Sequence, residues 1–376
     1  MDGNDKLYLR YKSVSIFGDA AEKLRPLAEL ISARDAARRL DSAAAVFRAV
    51  MQSNSSSTGE WMQKLLLLDD NPFSRAAAMG ERINERLKKQ VLSELNTFKQ
   101  LSAVKPSDFA TDDTTEFFPQ FGFGGFSVTY DGLLRAYAAN GCGIFSGDDS
   151  FVYRDGGFAA GAMKSFARLS DLKGYPEEKY EVVKNMQDFS ESHPAFHTLL
   201  YGDRGTGKST TVRAAANEFR GAVKLIDTDG DLSVLPEIVK HIRGLKQKFI
   251  IFADGLSVRE FERCQSGIEG LLDSTPTNWL LYCTVDRERG SQEGAPEELA
   301  MFDRFGLVVT YLNPDREAFC DILKQILRSR GIKWRDEYGS VAELAARKKG
   351  GRSPRAAKQI ADLIESTYAL KRCGNG

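Results

Sequence analysis

Long apolar runs are missing from this chain. Runs such as Leu65–Leu68 are far too short to cross a bilayer, so a helical membrane span is not expected. The first residues, "MDGNDKLYLRYKS", lack the apolar core of a secretory signal, and the expected location is cytoplasmic. Cysteine is scarce and histidine more so. The five cysteines (Cys142, Cys264, Cys283, Cys320, Cys373) fall at no metal-ligand spacing, and His193, His197 and His241 form no cluster with them. A reduced protein without structural zinc is the simplest reading. An excess of charge is also absent: 52 Lys and Arg face 52 Asp and Glu, so net charge names neither nucleic acid nor membrane as the main partner.

What is present is ordinary soluble material, 376 residues with 42% apolar and 28% charged side chains, enough for two or three domains. Residues 1–103 read as a helical N-terminal domain. Its runs carry apolar residues at helical spacing, broken by "QSNSSSTGE" and by a turn signal at Asn71-Pro72. Residues 104–165 are rich in Gly and Phe and read as a small hairpin-rich segment, with turns such as "RDGG". The "GFGG" at 122–125 has no following Lys-Ser/Thr and reads as a loop rather than a second phosphate site. Residues 166–313 alternate apolar runs ("AFHTLLYG", "AVKLIDTD", "KFIIFADGL", "NWLLYCTV", "GLVVTYLN") with helical segments, the pattern of a doubly wound α/β domain with a parallel sheet. Residues 314–376 turn helical to the end and form a small second lobe.

The chemistry concentrates in "LLYGDRGTGKST". Gly202, Asp203, Arg204, Gly205, Thr206, Gly207, Lys208 and Ser209 match G-x-x-x-x-G-K-[ST], and Thr210 follows in the helix. Glycines let the backbone wrap closely, so that its N–H groups point at phosphate oxygens, and the helix that follows presents its positive end. Lys208 is expected to bridge the outer phosphates of a bound nucleoside triphosphate, and the Ser209 hydroxyl to bind Mg²⁺. A second metal partner is expected at a strand end, and "KFIIFADGL" supplies Asp254.

These pieces resemble the AAA+ ATPases. They are more closely similar to a bacterial family of predicted AAA+ ATPases whose domain carries the label of unknown function. The resemblance is dense from "LSDLKGYPEEK" onward, through "DLSVLPEIV", "FIIFADGLS", "DRFGL" and "GGRSPRAAKQI". It is weaker in "LLLLDDNPFSR" and "GCGIFSGDDSFVYRDG". It implies a five-stranded parallel P-loop sheet with a C-terminal helical lid, ATP and Mg²⁺ as ligands, and assembly into a homo-oligomeric ring. By position, Arg304 in "DRFG" matches the arginine finger that reaches a neighbouring subunit's γ-phosphate, and Arg355 in "GRSPRAAKQ" matches the lid's sensor arginine.

Two departures bear on catalysis. The family usually follows the magnesium aspartate with a second acid that orients the attacking water, and here that position is Gly255. Where a polar sensor residue usually stands, the chain has Asp286, either an ineffective substitute or a base acting from another side. Glu260 is a further candidate, expected to face solvent. The expectation is tight Mg·ATP binding with weak or slow hydrolysis in a ring-forming remodeller of an unknown protein client. A nucleotide-gated switch that seldom turns over is the alternative. A DNA-handling loader or initiator is a third reading, not favoured, prompted by 13 Lys and Arg against 6 Asp and Glu in residues 321–376.

Overall fold

The computed structural model describes residues 3–105, 117–161, 168–273, 278–287, 296–348 and 351–373. The chain divides into two compact units, one of residues 1–148 with 244–247, the other of residues 149–243 with 248–376. The first unit is largely helical, and it runs past the expected boundary at 103/104. Among its described residues are α1 (Gly3–Lys12), α2 (Gly18–Lys23), α3 (Arg25–Ser32), α4 (Ala36–Gln52), α5 (Thr58–Leu67), α6 (Pro72–Met79), α7 (Glu85–Ala103) and α8 (Tyr130–Asn140).

Side-chain caps set many of these starts. Asp35, Ser57, Asn84 and Thr129 each accept backbone N–H groups from the first turn that follows. Asn71 does so in a reciprocal box with Ser74, so Asn71-Pro72 opens a helix where the sequence reads as a turn. The core joins Phe17, Leu24, Leu27, Met62, Phe73, Phe98 and Tyr137, all fully buried. Glu94 is buried there too, and its carboxylate accepts the amides of Ser15, Ile16 and Phe17 at 2.9–3.1 Å.

The Gly/Phe segment departs from its expected form. The "GFGG" loop is a helix brace: the amides of Thr58 and Gly59 donate to the carbonyls of Gly122 and Gly124, both at 2.9 Å. A Cβ on Gly59 would stand 2.2 Å from the Gly124 carbonyl oxygen, so only glycine fits where the loop meets α5. Residues 130–140 are helical because Thr129 caps them and Leu133 and Tyr137 bury one face. One hairpin does form, β1 (Ser150–Arg154) with β2 (Gly157–Ala160), about Asp155 and Gly156, both at positive φ as a two-residue turn of this hand requires. It belongs to the sheet of the second unit rather than to a separate segment. The expected boundary at 165/166 lies outside the described residues.

The five apolar runs are strands β3 (Thr198–Gly202), β4 (Val223–Asp227), β5 (Lys248–Leu256), β6 (Trp279–Asp286) and β7 (Leu307–Tyr311). With β1 and β2 they make a seven-stranded sheet in the order β2-β1-β4-β5-β6-β3-β7, parallel except for the β1–β2 pair. The expected five-stranded parallel sheet is therefore its core, and the hairpin extends its β4 edge. That extension is legible only in three dimensions, because β1 precedes the nucleotide motif by nearly fifty residues. Around the sheet lie α9 (Pro176–Ser190), α10 (Lys208–Glu218), α11 (Leu235–Ile242), α12 (Val258–Leu272) and α13 (Pro296–Phe302). The lid is α14 (Arg316–Ser329), α15 (Asp336–Lys348) and α16 (Pro354–Cys373), with its own core of Phe319, Leu323, Leu327, Ala342, Ala357 and Ile360. Among the described residues no helix is long and apolar enough to cross a membrane.

Candidate functional site

β3 lies between β6 and β7, and the chain leaves its end to pair next at β4, beyond β5. This is where strand order reverses, and the crevice outside the carboxyl ends of such strands is where open α/β sheets bind ligands. The glycine-rich loop occupies it. Gly202 ends β3 with φ of 139°, and a Cβ there would sit 2.0 Å from the Tyr311 carbonyl oxygen. Asp203 ties the loop to the end of β7: its amide donates to Tyr311 O at 2.8 Å and its carboxylate accepts the Asn313 amide at 2.7 Å. Thr206 is buried and donates to the Asp203 carbonyl at 2.8 Å. Gly205 and Gly207 take the left-handed conformation, and Gly207 is the residue from which α10 starts. The first turn of α10 thus opens toward the loop with no side chain capping its amides, the arrangement that receives a phosphate.

Lys208 is 4% exposed and its ammonium donates to the carbonyls of Gly202 (2.8 Å) and Asp203 (2.9 Å). It also pairs with Asp286 at 2.9 Å. The sheet register makes this meeting, since Gly202 of β3 stands opposite Asp286 of β6. Arg204 lies on the exposed side of the loop, 4.0 Å from the same carboxylate.

The structure brings Ser209 and Asp254 together: the Ser209 hydroxyl donates to Asp254 Oδ1. Two further groups hold Asp254 that sequence reasoning missed. Thr284 of β6 donates to the same oxygen at 2.7 Å, and Arg213, one turn along α10 from Ser209, pairs with the other oxygen at 3.0 Å. Arg213 also pairs with Asp227 at 2.9 Å and lies over the Phe252 ring. Spacing on α10 could have found Arg213. Thr284 depends on strand register and leaves no local signal. A hydroxyl and one carboxylate, both hard oxygen donors, fit Mg²⁺, which takes one or two protein oxygens and completes its shell with phosphate and water. No group of three or more His, Cys, Asp or Glu that could hold a metal occurs among the described residues.

A cavity of about 490 Å³ adjoins the loop. Its walls are the backbone of Gly205–Gly207, Thr210, the segment Asp171–Tyr175, and the lid helices α14 and α16 through Ile322, Ile326, Arg355 and Lys358. Tyr175 donates to the Leu312 carbonyl at 2.6 Å and packs on Tyr311, so one wall is aromatic and apolar. Burial, chiefly, raises the Tyr175 hydroxyl well above its usual range and keeps it neutral. Among the described residues that line the cavity are Lys173, Lys179, Arg330, Arg355, Lys358 and the carboxylate of Asp171, with Arg330 also paired to Asp362 and Glu365 at 2.7 and 2.8 Å. Burial and the neighbouring Lys173 lower the pKa of Lys179, whose amine donates to the Leu172 carbonyl at 2.7 Å. An apolar recess beside a cationic rim and a ring of amides suits a planar base joined to phosphates.

Arg355 lies at the start of α16, beside the glycine-rich loop. The Arg355 amide donates to the Gly205 carbonyl at 3.3 Å, and its side chain lines the cavity. Arg304 is elsewhere. It follows α13, is not among the cavity walls, and pairs with Glu269 and with Asp273 at 3.5 Å. Glu260 is engaged at the start of α12, where Ser257 amide and hydroxyl donors hold its carboxyl below the usual range. Gly255 has φ of 73° and gives its amide to Thr284 at 2.8 Å.

Residues 149–368, more than half of the chain, match the family described as protein of unknown function DUF815. Among curated proteins the chain is similar to the Holliday junction branch migration complex subunit RuvB of Acholeplasma laidlawii. The identity is 28% over 184 residues, 44% of this chain and 50% of that protein. Against the same subunit of Prochlorococcus marinus it is 28% over 222 residues, 48% of this chain and 57% of that one. The chain spans about half the length of the curated relatives it matches. The solved Thermotoga maritima RuvB branch migration motor overlaps 56% of this chain and 67% of its own at 16% identity and a TM-score of 0.39, too loosely to carry residues across. The chain belongs to the DUF815 family and is an AAA+ P-loop protein.

Proposed function

We propose that this chain binds Mg·ATP in the loop between β3 and α10 and works as a ring-forming remodeller with slow hydrolysis. The observation that carries the reading is the convergence of Lys208, the unblocked first turn of α10 and the Ser209–Asp254 pair at one end of the sheet. In this reading the amides of residues 205–209 grip the phosphates, Lys208 neutralises them, and Arg355 closes the lid over them. The base lies in the recess bounded by Tyr175 and Ile322. Ser209 and Asp254 hold the magnesium ion, which when bound spreads the charge developing on the phosphates. Arg304, held by Glu269 and Asp273, is the group offered to a neighbour's nucleotide.

Slow turnover follows from the water site. A positioned base contributes ~10²–10⁴-fold in rate. Gly255 supplies none, Glu260 is committed to its helix cap, and Asp286 stands between two cations, Lys208 and Arg204, so that it keeps a charged partner on either side. A finger arginine contributes ~10³–10⁵ in related phosphoryl transfer, but it acts on charge and does not orient water. Single-turnover phosphate release tests this: slow release that vanishes in Lys208→Ala supports it, and brisk release contradicts it.

The same water site favours a second reading, a nucleotide-gated switch whose assembly changes on binding. Molecular mass in solution with and without ATP separates the two when combined with turnover. The similarity to RuvB, a branch migration subunit, keeps a DNA-handling role as a third reading. Its test is binding to duplex DNA that weakens steeply with salt.

A further inference from the structure

The ammonium of Lys208 has three N–H donors. All three are used inside the chain, by the carbonyls of Gly202 and Asp203 and by Asp286 Oδ1. The two carbonyls are part of the loop backbone and cannot leave without unmaking it. Asp286 is different. Its side chain is 44% exposed at the open end of β6, and its other oxygen already stands 4.0 Å from Arg204, which is 83% exposed. A terminal phosphate that needs Lys208 meets a carboxylate already seated there, and like charges at such distances repel strongly in a partly buried site.

We propose that Asp286 is a tethered competitor of the terminal phosphate, passing from Lys208 to Arg204 when a triphosphate seats, and that this exchange sets the site's preference between triphosphate and diphosphate. It rests on the reading of the loop as a nucleoside phosphate site. A diphosphate reaches the loop amides without the group that most directly opposes Asp286, whereas a triphosphate must displace it. The apparent triphosphate affinity is then reduced by the fraction of molecules in which Lys208 is free to receive it. Arg204 raises that fraction by giving the displaced carboxylate a second partner.

The test measures dissociation constants of Mg·ATP and Mg·ADP on the full chain. Asp286→Asn is expected to raise ATP affinity about tenfold and to leave ADP within about twofold. Asp286→Ala, which removes the acceptor altogether, moves the ratio in the same direction. Arg204→Ala weakens ATP binding in the wild-type background and has little effect once Asp286→Asn is present, because the two residues act as one exchange. An unchanged ATP-to-ADP ratio in both Asp286 variants overturns the proposal. So does an Arg204→Ala effect of equal size in both backgrounds. If the wild-type chain binds neither nucleotide, or Lys208→Ala binds both unchanged, the phosphate-site reading itself falls and the proposal with it.

Discussion

Thr284 holds Asp254 from the neighbouring strand: its hydroxyl donates to Asp254 Oδ1 at 2.7 Å and accepts the Gly255 amide at 2.8 Å. One side chain on β6 therefore fixes both the acid at the end of β5 and the backbone just after it. Arg213 holds the other carboxylate oxygen, so Asp254 is oriented on both sides. Such outer contacts set how well a carboxylate receives a metal.

Thr284→Val keeps the shape and removes the hydroxyl. Magnesium-dependent strengthening of ATP binding is expected to weaken about tenfold, with nucleotide binding in excess EDTA unchanged. Equal magnesium dependence in variant and parent would show that Asp254 is oriented without Thr284.

Gly255→Glu places an acid where related sites keep one, and space is open around the new Cβ. The backbone there is left-handed, with φ of 73°, which strains any residue with a Cβ by about 1–2 kcal/mol. The variant is expected to lose about that much stability in chemical denaturation. Phosphate release is not expected to rise by the ~10²-fold that a well-placed base contributes. A large gain in turnover would mean that the loop readily adopts the geometry needed to aim an acid at water.

How much of this was legible beforehand depended on the range of each interaction. The loop from Gly202 to Ser209 and the strand-end Asp254 are local patterns, and the five strands could be read as short apolar runs bounded by turns. Contacts made by register could not. Gly202 meets Asp286 and Asp254 meets Thr284 only because β3, β5 and β6 are neighbours, though they are far apart in sequence. The "GFGG" loop reads locally only as a loop; its bracing of α5 through Gly59 needs a partner some 60 residues away. Helix α8 was missed because its aromatic residues and Gly132 resemble the hairpin composition around it, and its Thr129 cap acts only once the backbone turns.

Acid stability should carry the mark of His197. The residue is buried beside Trp279, and its Nδ1 accepts the Leu281 amide at 3.0 Å. Burial lowers its pKa from 6.5 to about 4. The unfolded chain therefore takes up a proton between those values while the folded chain does not. Stability from this group is fully present above pH 6.5 and is lost as pH falls toward 4, by up to about 3 kcal/mol. Urea denaturation across that window should show the slope in the parent and a smaller one in His197→Asn.

In the first unit, Glu94→Ala leaves the amides of Ser15, Ile16 and Phe17 without their acceptor. A loss of about 2–4 kcal/mol is expected, read from the denaturation midpoint, with Glu94→Gln intermediate. A loss below about 1 kcal/mol would mean that water or a shifted backbone satisfies those amides as well.

Everything said of nucleotide rests on Lys208 and the amides around it. Isothermal titration of the full chain with ATP in excess magnesium tests this most directly. The parent is expected to bind one nucleotide per chain, and Lys208→Ala, folded to the same melting temperature, to bind at least about a hundredfold more weakly. No heat from the parent, or equal affinity in the variant, contradicts the account.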